Sequence, residues 1–140
     1  MQNLFIGESD ELKINFSVAT GKDNSIYCDL DRSTLISFLE STGRIISNFE
    51  IEDYYATFKK PSFGNMINIY SSIFSVGGAE GGVNFNPTAT RFNKIIFLIK
   101  SWNLKGKEEK PTEEDIKNLN PLIANIIGVE LDTITGNLFI

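Results

Sequence analysis

The chain has 140 residues, 13 basic against 18 acidic, for a formal net charge of −5. An apolar share of 41% and a charged share of 22% exclude a disordered, collagen-like or low-complexity chain, and the length suits a single domain over residues 1–140. With no histidine and one cysteine, Cys28, the chain can form neither an intrachain disulfide nor a His-based catalytic triad nor a His- or Cys-built zinc site.

Two regimes follow one another: strand-rich over 1–60, helical over 61–128. Leu12, Ile14, Phe16 and Val18 alternate with Lys13, Asn15 and Ser17, the period-2 signature of a strand with one wet face. After the turn cluster Thr20–Asn24, Ile26, Cys28 and Leu30 resume the alternation, which predicts a hairpin. Asp31 or Ser33 caps a short helix over Thr34–Glu40, with Leu35, Phe38 and Leu39 at helical spacing and Gly43 as its stop. Arg44–Phe49 and Ile51–Lys59 read as extended, and Pro61 ends the second of these.

Ser62 is the N-cap of an amphipathic helix over 63–75, and the glycine-rich run 77–82 reads as a flexible connector. Asn86-Pro87 starts the most apolar helix, predicted to run to Trp102 and to form the central core helix. Thr112 begins a capping box closed by Asp115. Asn120-Pro121 starts a final short helix, Leu122–Ile127, closed by Gly128. The remaining tail, 129–140, carries Val129, Leu131, Ile134, Leu138, Phe139 and Ile140, too many apolar groups for an unattached segment. It is expected to add as an edge strand to its own core or to insert into a neighbour. The whole predicts an α+β fold: an N-terminal antiparallel β-hairpin or meander followed by a C-terminal bundle of three to four helices.

Groups that invite a chemical reading have structural ones. The glycine run lacks the Lys-Ser/Thr that a phosphate loop requires. Glu50, Glu52 and Asp53, with Asp29 and Asp31, lack calcium-loop spacing and suit a solvated face. Glu113, Glu114 and Asp115 suit a helix N-terminus. Cys28 sits on an apolar strand face with nothing near it in sequence to activate a thiolate. No basic n-region and no apolar run of about 20 residues is present. The acidic balance disfavours nucleic acid and anionic membrane. No cofactor, metal or small-molecule substrate is expected.

Three features occur in order: a strand running into Pro61-Ser62-Phe63-Gly64, an apolar helix ending at Trp102-Asn103-Leu104, and Gly106–Ile116 followed by Leu119–Asn125. Over residues 54–127 this resembles the small tail-assembly-chaperone-like proteins of tailed bacteriophages. The resemblance implies a non-enzymatic phage protein that binds other proteins in tail assembly or takes a structural place in the virion. The alternative is a small phage-encoded inhibitor or adaptor of a host protein. The implied partners are other tail or virion proteins or a second copy of the chain. The implied location is the host cytoplasm during assembly, or the finished particle. The residues expected to make protein contacts are Trp102, Leu131, Ile134, Leu138, Phe139 and Ile140.

Overall fold

The computed structural model describes residues 6–7, 10–73, 75–77, 82–84 and 87–136. Its centre is a four-stranded antiparallel sheet of β1 (Glu11–Gly21), β2 (Ile26–Asp29), β3 (Phe49–Lys59) and β6 (Ile99–Trp102), in the order β2-β1-β3-β6. β1 and β3 pair along their whole length, from Glu11 opposite Lys59 to Gly21 opposite Phe49. The alternation read in β1 decides which face is buried. Ile14, Phe16 and Val18 turn inward with Ala56 and Phe58 of β3, and one helical layer covers them.

That layer consists of α2 (Phe63–Ile73), α3 (Pro87–Leu98) and α5 (Pro121–Thr135), which contribute Met66, Ile69, Ile95, Leu98, Ile127 and Leu131 to the core. α1 (Arg32–Ser41) lies on the opposite face, where Leu35 and Leu39 enclose Ala19 in a second, smaller core. The fold is therefore α+β with the strands leading. Five helices occur among the described residues, counting the short α4 (Glu113–Lys117), rather than three to four. They flank the sheet on both faces instead of following it as a separate bundle.

Local signals explain the helix starts. Asp31 caps α1 through the Thr34 amide, and Gly43, at φ +80°, takes the left-handed conformation that stops it. Ser62 and Asn65 exchange side-chain-to-backbone bonds at the start of α2. Thr112 and Asp115 form the expected capping box, and Asn120 caps α5 with Pro121 in its first turn. Asn86 and residues 78–81 lie outside the described residues. The expected connector is bounded by a short ladder of β4 (Ser75–Gly77) and β5 (Gly82–Asn84), so α2 ends at Ile73 and not at 75. A 3-10 turn at Ile46–Asn48 interrupts the extended stretch expected over 44–49.

Two larger departures have physical causes. The helix expected to reach Trp102 stops at Leu98, and Ile99–Trp102 pairs with β3. The register shifts between Thr57 and Phe58: Ser101 opposes Thr57, Ile99 opposes Phe58, and Lys100 is the extra residue. This bulge puts Ile99 and Trp102, three apart, on the same buried face, which reproduces in a strand the spacing of a helix stripe. The helix also carries a polar interior side chain, since Lys94 is fully buried, while Phe97 is exposed.

The second departure is that Gly128 does not end a helix. α5 continues to Thr135, and Gly136, at φ +77°, is the residue that closes it. Gly128 is buried against Arg91 of α3. A Cβ there would lie 3.3 Å from the Arg91 Cδ, so the missing side chain lets the two helices approach. The tail expected over 129–140 is thus helical through 135, with Ile123, Ile127 and Leu131 as a continuous inner stripe.

At the β1–β2 turn, a Cβ on Gly21 would lie 2.6 Å from Asp23 Oδ1, 2.6 Å from Ser25 Oγ and 3.1 Å from Phe49 Cε1. Asp23 Oδ1 accepts from both the Ser25 amide and hydroxyl, so the clash falls on a bonded turn. Gly21→Ala is expected to cost about 1–3 kcal/mol. The costs of Gly21→Ala and Asp23→Ala are expected to sum to more than the double variant loses, as urea midpoints will show.

Candidate protein-docking groove

β2 is an edge strand, and among the described residues nothing pairs with its free side. α1 stands on one face of the sheet at this edge and α5 on the other. Between them lies a groove of 540 Å³ lined by Ile26–Leu30, by Leu35 and Phe38 of α1, and by the Leu122–Glu130 stretch of α5. The α1 wall is aromatic: the Phe38 and Tyr27 rings are 6.0 Å apart, and Tyr27 is equally close to Phe49. Phe38 is 47% exposed, Leu122 53% and Val129 42%. Leu35 and Leu39 turn inward on the same helix that presents Phe38 outward, so the helix uses one apolar side to hold the sheet and another to line the groove.

Among the described residues, the charged ones in the lining are Asp29 and Glu130, both acidic. One Asp29 oxygen takes the Asp31 amide at 3.0 Å. Cys28 faces α5, its thiol 3.6 Å from the Leu122 carbonyl. Burial, and then the negative charge of Asp29, push this thiol above its ordinary range. It is kept protonated, the opposite of what a nucleophile needs.

Of the residues expected to make protein contacts, Leu131 is 0% and Trp102 2% exposed, both members of the main core. They are corrected accordingly: buried side chains hold the fold and offer no surface to a partner. Ile134 is 43% exposed near the end of α5. Leu138, Phe139 and Ile140 lie outside the described residues. The structure brings together Leu30, Phe38, Leu122 and Val129 instead. A faint signal for them existed in the sequence, since each is an apolar residue in excess of what its element needs to cover the sheet.

Several of the acids weighed in the sequence are engaged locally. Asp53 accepts from Ser17 Oγ at 2.6 Å and pairs with Arg32 at 3.1 Å, and these bonds hold its carboxyl below the ordinary range. Glu52 accepts from the Tyr54 hydroxyl and, mainly through that bond, pushes it up to about 12. Among the described residues no group of His, Cys, Asp or Glu is arranged to hold a metal ion.

Asp115 closes the α4 capping box and lies 2.8 Å from Lys105 Nζ. The lysine, followed by the Thr112 amide, lowers its pKa to about 2. A depressed carboxylate pKa stabilises the fold above the ordinary Asp range and loses that contribution as pH falls through the folded value. The Asp115 carboxyl resonance and the Thr112 amide shift are therefore expected to titrate together near pH 2, well below ordinary aspartates, when followed by NMR.

No helix among the described residues is long and apolar enough to cross a membrane. No family model matches this chain, and neither a curated protein nor a solved structure matches it.

Proposed function

We propose that this chain is a non-enzymatic bacteriophage protein that binds other proteins during tail assembly or as a component of the virion, and that the groove at the β2 edge is its docking surface. The observation that carries the docking reading is a strand edge, unpaired among the described residues, flanked by exposed apolar side chains from two helices. Such an edge, left open beside apolar surface, invites strand addition. The tail-assembly setting rests on the resemblance over residues 54–127. In the fold those motifs are the junction from β3 into α2, the end of β6, and the capped starts of α4 and α5.

The test is co-expression of the tagged chain with the products of the genes that flank its own. The wild-type chain is expected to co-purify with a tail protein. The double variant Phe38→Asp/Val129→Asp is expected to fold normally, because both side chains are exposed, and to lose about 30-fold or more in affinity, as truncated interface anchors do. Unchanged association of the variant overturns the groove. Absence of any tail partner, or a stoichiometric host enzyme in its place, overturns the tail reading. Mass spectrometry of purified particles then separates a structural component, present at fixed copy number, from an assembly factor that leaves.

A further inference from the structure

We propose that the occupant of the β2-edge groove is an extended segment of a partner protein, apolar at its centre and bearing Lys or Arg at its flanks, which adds to β2 as a fifth strand. The proposal rests on the docking reading above and adds the chemistry of what docks.

Backbone geometry supplies the first part of the argument. The Gly21 amide donates to the Ser25 carbonyl at 2.8 Å, and the same register pairs Ala19 with Tyr27 and Ser17 with Asp29. Bonded and non-bonded pairs alternate along an antiparallel ladder. Tyr27 and Asp29 therefore spend their main-chain groups on β1, and the N–H and C=O groups of Ile26 and Cys28 point to the free edge. These donors and acceptors, two residues apart, open into the groove. A segment added there sends successive side chains to opposite faces. One set meets Phe38 and Tyr27 on the α1 side, and the other meets Leu122 and Val129 on the α5 side. Both sets must be apolar at the centre, which is the pattern of a strand and not that of an amphipathic helix.

Charge supplies the second part. Among the described residues, Asp29 and Glu130 are the charged ones in the lining, and no described lysine or arginine lines the groove. Arg44 stacks on Tyr27, 4.6 Å from the ring centroid, without entering the lining. A second copy of this chain paired edge to edge would bring its own Asp29 and Glu130 against these, with a net charge of −5 on each partner. Like charges across an interface oppose association, whereas basic residues on an incoming strand are drawn in and registered by the carboxylates.

The test uses fluorescence anisotropy with the labelled peptide Gly-Lys-Val-Ile-Val-Ile-Lys-Gly, a twin with Glu in place of Lys, and a twin N-methylated at alternate amides. The Lys peptide is expected to bind. Each twin is expected to bind about tenfold or more weakly. In the intact chain, Asp29→Asn/Glu130→Gln is expected to remove the discrimination between Lys and Glu peptides, and added salt to weaken the Lys peptide alone. Equal binding of the Glu twin overturns the charge assignment. Equal binding of the N-methylated twin overturns strand addition. A homodimer dissolved by Phe38→Asp makes a second copy the occupant and overturns the proposal. Loss of a tail partner in Phe38→Asp/Val129→Asp, with no peptide bound by the wild type, rejects this chemistry and leaves the docking reading standing. Peptide binding without any tail partner upholds this chemistry and overturns the tail reading alone.

Discussion

Asp132→Asn is expected to lower the unfolding free energy by about 3 kcal/mol, at the low end of the cost of stripping one partner from a buried ion pair. Lys94 projects from α3 with no exposed side-chain surface, and its ammonium lies 2.9 Å from Asp132 Oδ1. It also donates to Thr135 Oγ1 at 3.1 Å and to the Gly136 carbonyl at 3.0 Å. Asp132 itself is 22% exposed and takes a second bond, at 3.1 Å, from Arg91 Nε. Removing the carboxylate's charge leaves a buried ammonium with neutral acceptors. Removing the ammonium instead, as in Lys94→Met, leaves a part-exposed carboxylate that still has Arg91. The two variants should therefore differ, with Asp132→Asn the less stable in a urea titration. If Lys94→Met is the more damaging, the hydrogen bonds from the ammonium to the end of α5 outweigh the charge pairing.

The alternation of β1 was readable because a sheet covered on one face repeats every two residues, and the capping signals at Asp31, Ser62, Thr112 and Asn120 were readable because they act within three residues of themselves. What failed was what depends on distant partners. Ile99 and Trp102 have helical spacing, and only their distant partners on the β3 edge, Phe58 and Ala56, make them a bulged strand. Gly128 reads as a stop until Arg91 is seen to occupy the space where its side chain would be. α1 was visible as a helix, but nothing local says that it crosses to the opposite face of the sheet from α2, α3 and α5. That crossing is what leaves the β2 edge open between two helices.

The groove was legible only in fragments. The position of Cys28 on an apolar strand face and its unactivated thiol are legible, because its neighbours in sequence supply no cation. Spacing groups Phe38 with Leu35 and Leu39 on one helix without saying which of the three is buried. A helix of ten residues packed on one sheet face buries a narrow stripe, and Phe38 falls just outside it. Leu122 and Val129 were placed on separate elements, a short helix and a tail, so their position on one wall of one groove could not be seen until α5 proved continuous. Hydrophobicity identified an excess of apolar groups in the last third of the chain. Which of them is buried followed from helical phase, and that phase depended on passing through Gly128.

The continuity of α5 predicts the second large effect. Leu131→Ala is expected to cost about 3 kcal/mol, within the range for a buried Leu cut to Ala in a packed core. Ile134→Ala, one turn on and 43% exposed, should cost under about 1 kcal/mol. Had residues 129–140 been a strand offered to a partner, Leu131, Ile134 and their neighbours would have lost association together and stability hardly at all. On a helix the two positions separate, because Ile123, Ile127 and Leu131 stack at intervals of four against the sheet while Ile134 turns away. Guanidinium midpoints of the two variants, with equal m-values to confirm that the unfolded states are comparable, check the difference. Equal, small losses at both positions would mean that the second half of α5 is not held by the core. Removal of residues 129–140 would then leave a folded chain. With Leu131 in the core and Asp132 compensating Lys94, that truncation is instead expected to unfold the protein, since the two losses together reach the low end of the roughly 5–15 kcal/mol that stabilises a typical domain.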